Sequence, residues 1–372
     1  MKKEKAGIKT LYGDFNLGNK LQNFAVVYNL EKVGFDVTTF QYRTKAKGSL
    51  IKVKNLFKSL KKRILSKLPF FHNQNIKEHI NEKKKLEIFR EFSHAYLNIS
   101  KPMNKFSVDQ EYIDNFDYIF IGSDQVWNEE FLDKEDLKYF LGIKDKPKKV
   151  GISASFGVSD ISNKYIEIYQ EGFSKMDFIT VREEDGAGIV HRLTDNRPLV
   201  LVDPVMSLSK EKWREISEPP VWKLPETYIL CYFLGEKTNY IEDIERLAQK
   251  NNSTIIDIRD RGSEHYLTGP VEFLYLIDNA DLVCTDSFHG SAFSLIFNTS
   301  FRVFNRIDSY KNMSSRLSTL LDTFDCEHAV CNEADGNVFD WESINQRIEV
   351  KKDEFTQFIQ FSIKDNKRNN YL

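Results

Sequence analysis

The feature that most constrains this chain is the regular exchange of short apolar runs with segments of helical periodicity, sustained along nearly its whole length. In the first half, Gly7–Tyr12, Asp36–Tyr42, Tyr118–Gly122, Lys149–Ala154, Phe178–Val181 and Leu199–Val202 have the composition and turn-residue borders of strands. In the second half the same holds for Tyr228–Phe233, Thr254–Ile258, Leu282–Thr285 and Phe301–Phe304. Between them, Asn19–Lys32 carries Leu21, Ala25, Tyr28 and Leu30 on one stripe. Ile161–Phe173, Tyr240–Lys250, Val271–Asn279, His289–Phe297 and Ser314–Leu321 are helical in pattern too. This alternation is the signature of parallel βαβ units.

At roughly 150 residues per domain, a chain of 372 residues is expected to form two domains. The stretch Ser207–Pro225 breaks the alternation with Pro219, Pro220 and Pro225 and serves as the linker candidate. The expected architecture is therefore α/β, with two Rossmann-like doubly wound domains, 1–206 and 226–340, facing a cleft. A C-terminal helix over Trp341–Phe361 lies in a final segment, 341–372. Open α/β sheets bind ligands outside the carboxyl ends of their strands, so the cleft between two such sheets is where function is expected.

Hydrophobic residues at 41% and aromatics at 13% supply cores and exclude a disordered chain. A net charge of −2 gives no bias toward nucleic acid. Cys231, Cys284, Cys326 and Cys331 form no C-x-x-C pair and no zinc spacing, and Cys231 and Cys284 lie in apolar runs as buried thiols do. The N-terminus lacks an apolar signal core, and no run approaches the roughly 20 apolar residues of a membrane span. A reduced, cytoplasmic protein is expected. One segment departs from the rest. Residues 43–68 carry Arg43, Lys45, Lys47, Lys52, Lys54, Lys58, Lys61, Lys62, Arg63 and Lys67, with Ile51, Leu56, Leu60 and Ile64 at helical spacing. Such a basic amphipathic helix either lies on an anionic membrane surface, here the inner face of the cytoplasmic membrane, or packs on the core with a solvated face.

Chemistry-bearing residues collect where the predicted strands stop. Leu282–Thr285 ends in Asp286-Ser287-Phe288-His289-Gly290 as a helix begins, so Ser287 and His289 sit where free N–H groups and the helix dipole favour an anion. His289 is suited to hydrogen-bond a phosphate or pass a proton, unless it only caps the helix. Tyr118–Gly122 runs into Ser123-Asp124, where the carboxylate can take a proton from a hydroxyl or make a turn. Phe178–Val181 ends at Arg182, a fork for a carboxylate or phosphate, or else a partner of Glu183 or Glu184. Asp14–Asn19 forms a small, polar turn after the first strand.

In this order these strings resemble the polysaccharide pyruvyl transferase family. The resemblance rests on Asn16-Leu17-Gly18-Asn19-Lys20-Leu21-Gln22, Gly122-Ser123-Asp124-Gln125-Val126-Trp127-Asn128 and Ser155-Phe156-Gly157. It continues through Val181-Arg182-Glu183, Asp203-Pro204, Gly269-Pro270-Val271-Glu272-Phe273 and Asp286-Ser287-Phe288-His289-Gly290, and covers about Gly7 to Leu321. It implies a GT-B-like domain pair, phosphoenolpyruvate as donor and a hexose or hexosamine as acceptor. That acceptor would be carried on a lipid such as undecaprenyl diphosphate, within capsule, exopolysaccharide or cell-wall synthesis. The product implied is a cyclic pyruvate ketal with release of phosphate. Carried onto this chain, the resemblance associates Arg182 of the first domain and His289 of the C-terminal, donor-side domain with the donor, and links the Gly18-Asn19 turn to activity. Ser287 is expected beside them at the donor, and Asn16, Gly18, Asn19, Ser123 and Asp124 on the acceptor side. Ser287 stands where many members have arginine, and Arg306 and Arg316 are the candidates to replace its charge. His289 is then the proton donor or the partner of the leaving phosphate, with Asp124 or Asp286 as base. No metal or other cofactor is expected. Two rivals remain on the same scaffold: a nucleotide-sugar glycosyltransferase and a non-catalytic saccharide-binding protein.

Overall fold

The predicted alternation becomes two parallel sheets in the computed structural model, which describes residues 3–44, 69–306, 314–331 and 338–364, and of 69–75 and 314 the backbone alone. The first sheet is built from β1 (Lys5–Lys9), β2 (Asp36–Thr39), β3 (Tyr118–Asp124), β4 (Lys148–Ala154), β5 (Phe178–Val181) and β6 (Leu199–Val200), in the order β2-β1-β3-β4-β5-β6. The second contains β7 (Tyr228–Tyr232), β8 (Thr254–Asp257), β9 (Leu282–Thr285) and β10 (Phe301–Val303), in the order β10-β9-β7-β8. In each sheet the winding reverses once, between β1 and β3 and between β7 and β9. Those two switch points, where α/β sheets open a crevice, carry the Asn16–Asn19, Ser123–Asp124 and Asp286–His289 segments.

The helices follow as α1 (Leu17–Lys32), α2 (Pro69–Tyr96), α3 (Gln110–Asp114), α4 (Lys134–Phe140), α5 (Ile166–Ser174), α6 (Glu184–Thr194), α7 (Lys210–Ile216), α8 (Ile241–Asn251), α9 (Pro270–Asp278), α10 (Phe288–Phe297), α11 (Ser314–Thr323) and α12 (Trp341–Lys364). α1 begins at Leu17 rather than Asn19, because the Asn16 side chain caps it by accepting from Asn19 N at 3.1 Å. That places Gly18 and Asn19 in a helical first turn instead of a loop. α2 was not visible in the sequence pattern. It is rich in charged residues, and among its described side chains the buried ones are Asn81, Lys85, Phe89, Phe92 and Ser93.

The segment expected as a linker is instead a wedge. Its helix α7 buries Trp213 completely, between Phe24 of α1 (ring centroids 5.5 Å apart) and Phe293 of α10 (5.1 Å). The Trp213 Nε1–H donates to Val205 O at 3.0 Å. One apolar cluster therefore runs from Ile8 and Phe120 through α1 and α7 to Leu230 and Val283, joining both domains behind the cleft. Two other helices cross the joint. α2 donates from Asn81 to Arg261 O at 2.9 Å, and α12 starts beside Phe301 and Phe339 but ends on the first sheet, where Tyr118 Oη donates to Ile363 O at 3.1 Å. Cys231, Cys284 and Cys326 are buried free thiols. Residues 45–68, most of the basic stretch, lie outside the described residues. Among the described residues no helix is long and apolar enough to cross a membrane.

Candidate active site

A cavity of about 810 Å³ lies between the carboxyl ends of the two sheets. Of the residues singled out from the sequence, Asn16, Asn19, Asp124, Asp286, Ser287, His289, Arg306 and Arg316 line it. Gly18, Ser123 and Arg182 lie behind the lining.

The wall from the first sheet is tied together by Gln22 of α1. Its amide donates to Thr10 Oγ1 at 2.8 Å and its oxygen accepts from Ser123 N at 3.1 Å, fixing the ends of β1 and β3 against the helix. Ser123 is fully buried and donates to Ser153 O at 2.8 Å, so it supports the wall and faces away from any acceptor. At Asp124 the chain turns left-handed (φ 66°), a conformation Asp tolerates better than most residues. Its carboxylate accepts from Asn19 Nδ2 and from Gln125 N at 2.9 Å.

Arg182 is only 3% exposed and does not reach the cavity. Its guanidinium pairs with Asp203, lies 3.3 Å from Asp124 Oδ1 and sits 4.4 Å over the Phe288 ring. Burial works against this cation, but Asp203 and Asp124 outweigh it and hold its pKa above the ordinary value. Burial would likewise raise the Asp203 carboxyl, yet Arg182 and then His289 hold it well below the usual carboxylate range. Neither Glu183 nor Glu184 is the partner of Arg182. Glu183 turns to the Ser155–Gly157 loop, accepting from Phe156 N at 2.7 Å and Gly157 N at 3.0 Å, and Glu184 pairs with Arg197.

The opposite wall begins at α10. Ser287 caps that helix, accepting from Gly290 N at 3.4 Å, so its hydroxyl is committed to local structure. His289 sits in the first helical turn, and its Nε2 is buried, 3.7 Å from Asp203 Oδ2 and without a hydrogen-bond partner. Asp286 accepts from Leu234 N and Gly235 N at 2.7 Å each, holding the turn after β7, while burial pushes its carboxyl pKa up. These bonds make Asp286 a brace for the wall. Arg316 of α11 lies 3.8 Å from Asp124, with both terminal nitrogens within 3.2 Å of the Gln125 amide.

Some contributors had no sequence signal. Arg259, just after β8, lines the cavity and adds a further cation. Tyr12 also lines it, with the Lys20 ammonium 3.7 Å from its ring centroid. Asp203 stood in a quoted string but carried no role. Its turn position marks a cap, and nothing local tells that it meets His289.

The cavity thus presents Arg259, Arg306, Arg316 and His289 toward a common space, with Asp124 among them. The sequence profile of the polysaccharide pyruvyl transferases matches residues 16–309, spanning both cavity walls. The chain belongs to the polysaccharide pyruvyl transferase family. No functionally curated protein matches this transferase in sequence. Among solved structures it is similar to the UDP-GlcNAc 2-epimerase of Methanocaldococcus jannaschii, solved with UDP-GlcNAc and UDP, at a TM-score of 0.50 and 12% identity, over 96% of this chain and 99% of that one. A putative UDP-N-acetylglucosamine 2-epimerase of Listeria monocytogenes gives a TM-score of 0.48 and 11% identity over 99% of each chain. At such identities the first likeness concerns fold alone, a GT-B-like pair of Rossmann-type domains.

Proposed function

We propose that this pyruvyl transferase uses phosphoenolpyruvate as donor and builds a pyruvate ketal across two hydroxyls of one sugar. The observation that carries the reading is the buried, unpartnered His289 Nε2 on the wall of a cavity that also presents Arg259, Arg306 and Arg316. A buried polar nitrogen without a partner is costly and marks a position prepared for a ligand atom. A donor carrying a carboxylate and a phosphate suits a set of arginines, whose planar forks match both groups.

In this reading His289 protonates the methylene carbon or holds the departing phosphate, and Asp124 orients and deprotonates the acceptor hydroxyl. The first hydroxyl adds to the central carbon of the donor and the second displaces phosphate there. Of the two hydroxyl protons, one ends on the new methyl group and one leaves with phosphate. Arg182 acts from beneath, facing Asp124 and pairing with Asp203, whose carboxyl it holds ionised. Asn16 and Asn19 face the acceptor. The scheme requires no metal. A lipid-linked acceptor accords with the basic composition of the sequence that follows Thr44, a residue of the cavity lining.

The test is donor-dependent phosphate release. Stabilisation of the protein by phosphoenolpyruvate, and not by UDP-GlcNAc, is expected in thermal denaturation. His289→Ala should fold normally yet release no phosphate with donor and acceptor present. Turnover near the parent's rate would remove His289 from the chemistry.

A further inference from the structure

We propose that Asp203 is the positioning residue for His289, acting across the cleft from the opposite domain. The inference rests on the donor reading above only for its functional readout.

Asp203 is fully buried and fixed by its own domain from several sides. Its Oδ1 accepts from Val205 N at 3.1 Å, capping the turn at Pro204–Ser207. Its Oδ2 lies 3.2 Å from Ser123 Oγ at the end of β3 and accepts from Arg182 at the end of β5. That same oxygen faces His289 Nε2 at 3.7 Å. The histidine backbone belongs to α10 in the other domain. On the far side of the ring lies Gly18, whose α-carbon is so close that an added Cβ would sit 2.0 Å from His289 Nδ1 and 2.4 Å from Cγ.

The imidazole therefore hangs from one domain while both of its nitrogens are faced by the other. Its side chain turns about two torsions, and the gap between Gly18 and Asp203 selects one orientation. At 3.7 Å the carboxylate acts through its charge and falls short of a hydrogen bond. It can thus align the ring while leaving Nε2 without a hydrogen bond of its own, open to a substrate oxygen. Arg182 already balances the Asp203 charge, so the histidine is not needed to satisfy that carboxylate. The arrangement makes the orientation of His289 depend on the apposition of the two domains.

The test is a double-substitution cycle read by calorimetric titration of the full chain with phosphoenolpyruvate. Asp203→Asn should weaken donor binding roughly tenfold in the parent, and within about twofold in the His289→Gln background, as contacting residues behave. Equal effects in both backgrounds would overturn the proposal, since a purely structural role for Asp203 adds independently. A second readout needs no donor. In protein carrying ¹³C-histidine, the His289 ring resonance, identified by its loss in His289→Gln, should move in both Asp203→Asn and Gly18→Ala. An unmoved resonance refutes the contact. If Asp203→Asn does not fold, Gly18→Ala carries both measurements. If the parent does not bind phosphoenolpyruvate, the donor reading fails and the ring resonance alone decides this one.

Discussion

Replacing Arg316 with methionine should give a protein that is more stable and binds its donor less well. The guanidinium lies 3.8 Å from Asp124 and within 3.2 Å of the Gln125 amide, but it is 7% exposed. Burial first, and repulsion from Arg182 second, push its pKa down to about 10. For a cation, a folded-state value below the unfolded one means the charge destabilises the fold at every pH below that value. The cost is relieved only above about pH 10. The size of the depression corresponds to about 3 kcal/mol. Methionine keeps most of the volume and removes the charge. The depression already contains the pull of Asp124, so what is forfeited in addition is the contact with Gln125, roughly 1–3 kcal/mol. The net expectation is a gain on the order of 1 kcal/mol, or about 1–3 °C in Tm. Donor binding moves the other way. Losing a charge-assisted contact of about 1.5–3 kcal/mol weakens phosphoenolpyruvate roughly 10- to 150-fold. Urea denaturation without donor and calorimetric titration with it measure the two effects. A variant less stable than the parent by more than about 1 kcal/mol would refute the burial argument. Unchanged donor affinity would remove Arg316 from the donor contacts.

Trp213→Ala should cost about 3–5 kcal/mol in urea denaturation, because the ring fills the joint between Phe24 and Phe293 and no neighbour can close the gap. A loss under about 1 kcal/mol would show that the joint is held elsewhere. Lys85 is 1% exposed with its ammonium 4.2 Å from the Tyr266 ring centroid, and burial, then Arg259 and Arg261, push its pKa down to about 7. A lysine depressed in the fold makes stability rise as pH climbs from about 7 to 10, so Lys85→Met should be more stable at pH 7 by roughly 4 kcal/mol, with the two curves converging near pH 10. Parent stability that is flat across that window would contradict the assignment. Replacing Lys52, Lys54, Lys58, Lys61 and Lys62 with glutamine should reduce co-sedimentation with anionic phospholipid vesicles, and high salt should release the parent. Equal retention of both proteins would dismiss a membrane role for 43–68.

Much of the fold was legible because it is written in short-range patterns. β5 and β9 form over the residues expected, and the Asp286–His289 and Ser123–Asp124 segments stand at strand ends beside the two switch points. Helix α2 and the wedge at Trp213 were not legible. A charged helix buries few residues of its own, and a proline-containing connector gives no sign that one tryptophan within it plugs a joint between domains. Arg182 shows the same limit on the scale of one side chain. Its place at the end of β5 followed from the strand pattern, but whether it turned to the cavity or to Asp203 depended on a carboxylate 21 residues on.

The order of strands and helices, and the residues at their carboxyl ends, are set by the chain itself, since each follows from neighbours within a turn or a strand. Which of those residues meet is settled only when two domains are pressed together by Phe24, Trp213 and Phe293. His289 against Gly18 and Asp203, and Arg259 in the same cavity as Arg316, are products of that rigid apposition. Contacts between remote segments depend on packing geometry summed over many side chains, and no local string of residues encodes that sum.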